Sequence, residues 1–181
     1  MIRLAEPADL PRLQEIEVAA GSAFRAMGMD AIADDAAPPI AWLEQYRADG
    51  RVWVWAEPSA PAVAYCVVDI VDGNAHIEQV SVHPDAARRG RGAQLIDHIE
   101  EWARDRGLPE ITLTTFVDVP WNAPYYTRLG FGIVVDSDLG PGLRALREHE
   151  AAQGLDRWPR VAMTRHVPID PIDGDGPAGR R

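Results

Sequence analysis

The chain of 181 residues carries a formal net charge of −10 at pH 7, and arginine supplies all 18 of its Lys and Arg positions. Its length suits one domain with a substantial core, and its single cysteine, Cys66, excludes an internal disulfide. The acidic balance disfavours nucleic-acid partners, because contacts with phosphate groups need clustered cations and the main cluster here is the short stretch 88–91.

The first half of the chain predicts strands flanked by two helices. Asp9 and Pro11 begin the first helix, whose apolar positions follow helical spacing. Residues 21–39 break this periodicity and predict a loop or short helices. The turn sequence Asp72-Gly73-Asn74 predicts a hairpin, and therefore an antiparallel meander. The remaining predicted elements are a helix over residues 40–48 and strands over residues 2–5, 52–56, 62–71 and 75–82.

A glycine- and arginine-rich loop follows the strand that ends at Val82. Gly90 and Gly92 lack side chains, so the backbone can fold tightly and bring several N–H groups close to a ligand oxygen. Those groups open a helix, where they have no internal partner and where the dipole favours negative charge. The pattern predicts a diphosphate site, with a solvated surface turn as the alternative. The predicted contacts are Arg88, Arg89, Gly90, Arg91, Gly92 and Ala93.

Two common phosphate-binding loops are excluded by composition. A Walker loop needs a Gly-Lys pair, and the chain contains no lysine. A dinucleotide fingerprint needs a third glycine at the position of Leu95.

The second half begins with an amphipathic helix over residues 93–106. The next strand, residues 111–116, should lie parallel to the strand before this helix, with a right-handed crossover. Asn122 before Ala123-Pro124 suits the start of a short helix that ends at Gly130. The remaining predictions are strands over residues 131–135 and 160–167, a helix over residues 143–151, and a disordered tail over residues 168–181, which is rich in Pro, Gly and Asp.

Two segments together resemble the GNAT superfamily of N-acetyltransferases, which bind acetyl-coenzyme A. One is the strand end with Gly90 and Gly92, although Ala87 stands in the family's Gln/Arg position; the other is Tyr126, four residues before Gly130-Phe131. The resemblance implies an α/β (mixed α+β) domain over residues 1–167. Its sheet should be central and mostly antiparallel, with about seven strands, one parallel splayed pair and flanking helices.

The resemblance also implies a reaction. Acetyl-CoA would donate its acetyl group to a primary amine of a small molecule or a peptide N-terminus by direct attack. Pantetheine would pair with the exposed strand edge at Val80, Ser81 and Val82. Asn122 is a further candidate for contact with the cofactor. Tyr126 would protonate the leaving thiolate, because a phenol with a pKa near 10 can donate to a sulfur with a pKa of about 8.5. Its neighbour Tyr125 lies on another helical face and is expected in the core.

The base that deprotonates the amine stays open at this point. Glu78 is the first candidate, and a strand's period of two places His76 on the same face unless a bulge intervenes. Water between either group and the amine is a further option, and Asp118 is a weaker one. In the family, the segment that corresponds to residues 21–39 overhangs the amine site. The candidate substrate contacts in this segment are therefore Phe24, Met27, Asp30 and Asp35.

The remaining expectations concern partners and location. None of the five histidines has metal-ligand spacing with a cysteine or another histidine, so we expect no metal. The N-terminus lacks signal-peptide features and no apolar run approaches a membrane span, which predicts a cytoplasmic protein without a membrane partner. Family members often form dimers, so a homodimer is possible. The competing function is an acyl-CoA binding or sensing module without turnover.

Overall fold

The structure, a computed structural model, describes residues 1–168 and contains one seven-stranded sheet within them. The tail predicted over residues 168–181 lies, after Pro168, outside the described residues. In sheet order the strands are β1 (Ile2–Leu4), β2 (Val52–Trp55), β3 (Ala64–Val71), β4 (Asn74–Val82), β5 (Glu110–Phe116), β7 (Arg160–His166) and β6 (Gly132–Val134). The helices are α1 (Leu10–Gly21), α2 (Asp30–Ala33), α3 (Ile40–Ala48), α4 (Arg91–Arg104), α5 (Ala123–Arg128) and α6 (Pro141–Ala152).

All neighbouring strands are antiparallel except β4 and β5, which are parallel. These two strands pair at only two positions, Ala75 with Ile111 and His76 with Thr112. Beyond them the strands separate and leave a gap between residues 77–82 and residues 113–116. The predicted, mostly antiparallel sheet with one parallel splayed pair is thereby confirmed.

A β-bulge in β4 lies where the gap begins. Val67 of β3 pairs with Gln79, but Val68 pairs with Ile77, so Glu78 has no partner on β3. An extra residue of this kind bends its strand and increases the local twist. The bulge therefore supports the separation of β4 from β5.

The core has one apolar layer on each face of the sheet. On the face that carries α4 and α5, Leu95, Ile96 and Ile99 of α4 are fully buried, as the amphipathic pattern predicts. On the opposite face, Leu13 and Ile16 of α1 pack with apolar residues of β2 and β3. Cys66 is buried among the apolar residues of the first layer, and burial raises the pKa of its thiol. That position agrees with a structural rather than a nucleophilic role for the thiol.

The tip of the β3–β4 hairpin fixes the start of α6. The carboxylate of Asp72 accepts hydrogen bonds from the N–H groups of Gly142 (2.7 Å) and Leu143 (2.9 Å). A Cβ at position 142 would lie 2.8 Å from the same carboxylate, so this close approach requires glycine. With this cap, α6 begins two residues before its predicted start.

Two properties of residues 1–168 bear on the expected partners. None of the helices there is long and apolar enough to cross a membrane. The same residues contain no group of three or more His, Cys, Asp and Glu side chains arranged to hold a metal ion.

Candidate active site

The loop between β4 and α4 presents a row of unpaired backbone donors. Arg88 and Gly90 adopt left-handed conformations, with φ of 60° and 73°. Within residues 1–168, the six N–H groups of residues 88–93 donate to no hydrogen-bond acceptor. The last three belong to the first turn of α4, where the helix dipole adds positive potential. This arrangement is suited to a phosphate-sized anion.

The three arginines of the loop differ in how free their side chains are. The Arg91 guanidinium lies over the ring of Trp55, with its central carbon 3.4 Å from the ring centroid. Its Nη2 atom lies 3.6 Å from a carboxylate oxygen of Glu57. Arg88 and Arg89 are exposed. Mobile positive charge at the loop therefore comes from these two side chains, while Arg91 contributes its backbone N–H.

The edge of β4 that faces the gap carries further unpaired donors. The N–H of His83 donates to the carbonyl of Val63 at 2.8 Å, on the β3 side of the strand. Because backbone groups alternate in direction along a strand, the N–H groups of Val80 and Val82 face β5, where the ladder has already ended. The strand edge is available for pairing with an extended ligand.

Tyr126 lies on the α4 face of the sheet beside this edge. Only 8% of the residue is exposed, and its ring makes edge-to-face contacts with Tyr125 (5.5 Å between centroids) and Phe131 (5.7 Å). It shares the apolar cluster with Cys66, which pairs with Val80 across the β3–β4 ladder. Burial raises the pKa of Tyr126 above its usual value, and the nearby Cys66 adds to the effect. The phenol is therefore protonated at neutral pH.

Asn122 spans the end of the gap between α5 and β5. Its Nδ2 donates to the Thr115 hydroxyl at 2.7 Å, and its backbone carbonyl accepts a hydrogen bond from the Tyr126 backbone N–H at 2.9 Å. Its Oδ1 atom is buried and has no hydrogen-bond partner among residues 1–168. One polar atom of Asn122 is thus left without a hydrogen-bond partner in the described part of the chain.

The opposite face of the gap carries the candidate bases. Burial raises the pKa of Glu78 to about 7, and repulsion from Asp69 and Glu150 acts in the same direction. Burial lowers the pKa of His76 to about 4, although nearby carboxylates partly oppose the shift. His76 is 3% exposed, and its Nδ1 lies 2.9 Å from the Thr112 hydroxyl. Glu78 is the group that changes charge near neutral pH.

The carboxylates next to Glu78 form ion pairs with arginines. Arg51 forms an ion pair with Asp69. Glu150 bonds to Arg160 (2.8 Å) and Arg147 (2.5 Å); burial acts to raise its pKa, but the charge of Arg160 and these hydrogen bonds lower it overall. Within residues 1–168, no cationic side chain forms an ion pair with Glu78. Glu78 thus differs from its neighbours Asp69 and Glu150 in having no ion-pair partner among the described residues.

The carboxylate of Glu17, on α1, stabilises β4 through hydrogen bonds. Glu17 accepts hydrogen bonds from the Tyr65 hydroxyl (2.7 Å), the Ser81 hydroxyl (2.7 Å) and the Gln79 amide (2.9 Å). Gln79 and Ser81 flank Val80 on the strand. These contacts fix the bulged strand next to the gap, and they turn the Ser81 side chain toward α1 and away from the loop.

Comparison with known proteins identifies the fold and the family. Residues 13–131 match the model of the Acetyltransferase (GNAT) family. The chain belongs to this family. The match confirms the predicted superfamily and the acyltransferase class of the enzyme.

Solved structures of other GNAT proteins share the fold of this acetyltransferase. The ribosomal-protein-S18-alanine N-acetyltransferase of Escherichia coli is 16% identical over 96% of this chain and 97% of its own, with a TM-score of 0.64. The N-acetylglutamate synthase of Neisseria gonorrhoeae, complexed with coenzyme A and N-acetyl-glutamate, is 15% identical over 93% of this chain and 35% of its own, with a TM-score of 0.70. The PaiA N-acetyltransferase of Thermoplasma acidophilum, in complex with coenzyme A, is 14% identical over 92% and 98%, with a TM-score of 0.62.

Of the four predicted substrate contacts of this GNAT chain, the structure brings one to the gap. Phe24 contacts Phe116 at the end of β5, with 5.8 Å between ring centroids. Met27 is 40% exposed, Asp30 faces Arg25 at 4.0 Å, and Asp35 is exposed and accepts the N–H of Ala36. These three lie on the outer surface of the segment over residues 21–39.

Two aromatic residues that sequence reasoning missed border the site. Trp121 is 40% exposed and contacts Phe24, with 5.4 Å between ring centroids. Together, Phe24 and Trp121 form an aromatic wall at the mouth of the gap. Tyr125 packs partly against the core, as predicted, but a Cβ on Gly92 would lie 3.1 Å from its hydroxyl oxygen. The available signal was their position within a few residues of Tyr126.

Proposed function

We propose that this acetyltransferase uses acetyl-CoA to acetylate a primary amine of a small molecule or a peptide N-terminus. The observation that carries the proposal is the row of six unpaired N–H groups over residues 88–93, directly after a strand edge that is itself unpaired. A diphosphate attached to an extended amide chain complements both features. Two of the structural neighbours were solved with coenzyme A, which supports the same donor.

The donor would bind along β4. Its diphosphate accepts hydrogen bonds from the loop, with added charge from Arg88 and Arg89. Its pantetheine amides pair with the N–H groups of Val80 and Val82, as an added strand does. The Asn122 Oδ1 atom offers a hydrogen-bond acceptor to an amide N–H of the same arm. The thioester then lies between β4 and β5, near Tyr126.

The amine would enter from the opposite face, where Glu78 lies. Glu78, with a pKa of about 7, takes a proton from the incoming ammonium, directly or through water. His76, with a pKa of about 4, is a much weaker base. The amine nitrogen attacks the thioester carbon, and a backbone N–H near Val80 stabilises the oxyanion. The C–N bond forms, the C–S bond breaks, and Tyr126 donates its proton to the departing sulfur. The second proton, which the nitrogen loses as it becomes an amide, restores the Tyr126 hydroxyl through solvent.

The aromatic wall of Phe24 and Trp121 would border the amine substrate. One neighbour is a ribosomal-protein alanine N-acetyltransferase and another is an N-acetylglutamate synthase, which supports both parts of the proposed class. A substrate with an apolar group close to its amine would use the exposed face of Trp121.

Acetyl-CoA consumption with a panel of small amines and short peptides tests the proposal. Release of the free thiol should depend on an amine and should fall in Glu78→Gln and Tyr126→Phe, while both variants stay folded. Tight CoA binding without acetylation of any amine would contradict turnover and leave a binding or sensing module. Absence of CoA binding would overturn the donor site itself.

A further inference from the structure

The hydroxyl of Tyr125 lies at the phosphate loop, although its ring belongs to the core. A Cβ on Gly92 would lie 3.1 Å from the Tyr125 hydroxyl oxygen and 3.6 Å from a methyl group of Val82. Gly92 is in the first turn of α4, among the unpaired N–H groups. The hydroxyl is therefore placed where a ligand of this loop would sit.

The ring of Tyr125 is held in this position from two sides. It makes an edge-to-face contact with Tyr126, and the Arg128 guanidinium lies 5.9 Å from its centroid. Consecutive residues of a helix point about 100° apart, so α5 presents Tyr125 to α4 while Tyr126 packs in the core with Phe131. A phenylalanine would fill the same volume, so core packing alone does not account for the hydroxyl.

The hydroxyl is a hydrogen-bond donor at neutral pH. Burial raises the pKa of Tyr125, and the nearby Asp97 carboxylate acts in the same direction. At the start of α4, the N–H groups of Arg91, Gly92 and Ala93 and this hydroxyl thus all lack a hydrogen-bond acceptor from residues 1–168. Donors that are left unpaired in a partly buried place indicate an absent acceptor.

We propose that Tyr125 is a further donor-binding residue, whose hydroxyl donates a hydrogen bond to the diphosphate of the cosubstrate beside Gly92. This inference rests on the proposed function, in which CoA binds at the loop. It adds a side-chain contact to a site otherwise built from backbone groups, and it explains why a residue next to Tyr126 carries a second phenol.

Calorimetric titration of Tyr125→Phe with CoA and with pantetheine tests the assignment. Pantetheine contains the amide arm and thiol but no diphosphate. Since a hydrogen bond to a charged group is among the stronger ones, CoA affinity should fall about tenfold. Pantetheine affinity should stay the same. Tyr46→Phe is the matched control, because it removes a phenol hydroxyl that bonds to Asp69 on the other face of the sheet.

Three outcomes separate the possibilities. Equal CoA affinity in Tyr125→Phe and the wild type would overturn the assignment while leaving the CoA site intact. An equal loss of affinity for CoA and pantetheine would also overturn it, because a packing defect would then be the cause. If the wild type binds no CoA, the proposed function fails first, and the inference with it.

Discussion

Replacing Glu78 with Gln should change stability and activity in opposite directions. The carboxyl has a pKa of about 7 in the folded protein, against an ordinary value of 4.5. At 1.36 kcal/mol for each pH unit, the difference corresponds to about 3 kcal/mol. Because the folded state holds the proton more tightly, wild-type stability falls as the pH rises from about 4.5 to 7 and then stays low.

Glutamine has no such penalty, since it is neutral at every pH. At pH 8, Glu78→Gln should therefore unfold at a higher urea concentration than the wild type, with a free energy of unfolding up to about 3 kcal/mol larger. At pH 4 the two proteins should unfold at similar urea concentrations. Glu44→Gln is the matched control. Its exposed carboxyl has a pKa lowered by a hydrogen bond from Arg47, so its replacement should bring no gain at pH 8.

The same substitution should remove the base. Wild-type kcat/KM should rise about tenfold for each pH unit below pH 7 and level off above it, as measured by thiol release between pH 5.5 and 9. Glu78→Gln should lose about 100-fold in activity and this rising limb. A variant that keeps the limb would show that another group accepts the proton, and a variant without the stability gain would show that the carboxyl is well solvated.

Three further predictions concern Tyr126, Gly92 and Asp72. Tyr126→Phe should lower kcat about 100-fold in steady-state assays, and an unchanged kcat would exclude a role in thiolate protonation. Gly92→Glu places a side chain against the Tyr125 hydroxyl and a negative charge among the phosphate donors, so calorimetry should show at least a tenfold loss of CoA affinity, about 1.4 kcal/mol; unchanged affinity would contradict the phosphate site. Asp72→Ala removes the cap of α6 and should cost about 1–2 kcal/mol in urea unfolding, whereas Asp72→Asn, which keeps a capping oxygen, should lose less.

The fold was predictable because its determinants are local. The apolar stripe of α4, the turn at Asp72-Gly73 and the crossover between β4 and β5 are each visible within a few residues. The glycines at positions 90 and 92 mark the loop whose N–H groups are unpaired in the structure. Errors are confined to element ends: β3 begins two residues later than predicted, because residues 62 and 63 still belong to the turn.

The parts that sequence reasoning missed depend on contacts between distant residues. The Asp72 cap of α6 joins positions 70 residues apart, and the stacking of Arg91 on Trp55 joins neighbouring elements that no spacing connects. The raised pKa of Glu78 follows from burial next to Asp69 and Glu150, which lie on different elements. Trp121 becomes part of an aromatic wall only because Phe24 folds against it.

The parallel ladder between β4 and β5 is the shortest in the sheet. Within residues 1–168, backbone pairing joins the half formed by β1 to β4 to the half formed by β5, β7 and β6 only at Ala75–Ile111 and His76–Thr112, although α4 packs against both halves. In the proposed donor pose, a thioester arm bound beyond this ladder would bridge both halves as a missing strand would. Glu78 belongs to one half, and Phe116 to the other. Under that proposal the donor would link the two halves that border the amine, so we expect the thioester to bind before the amine.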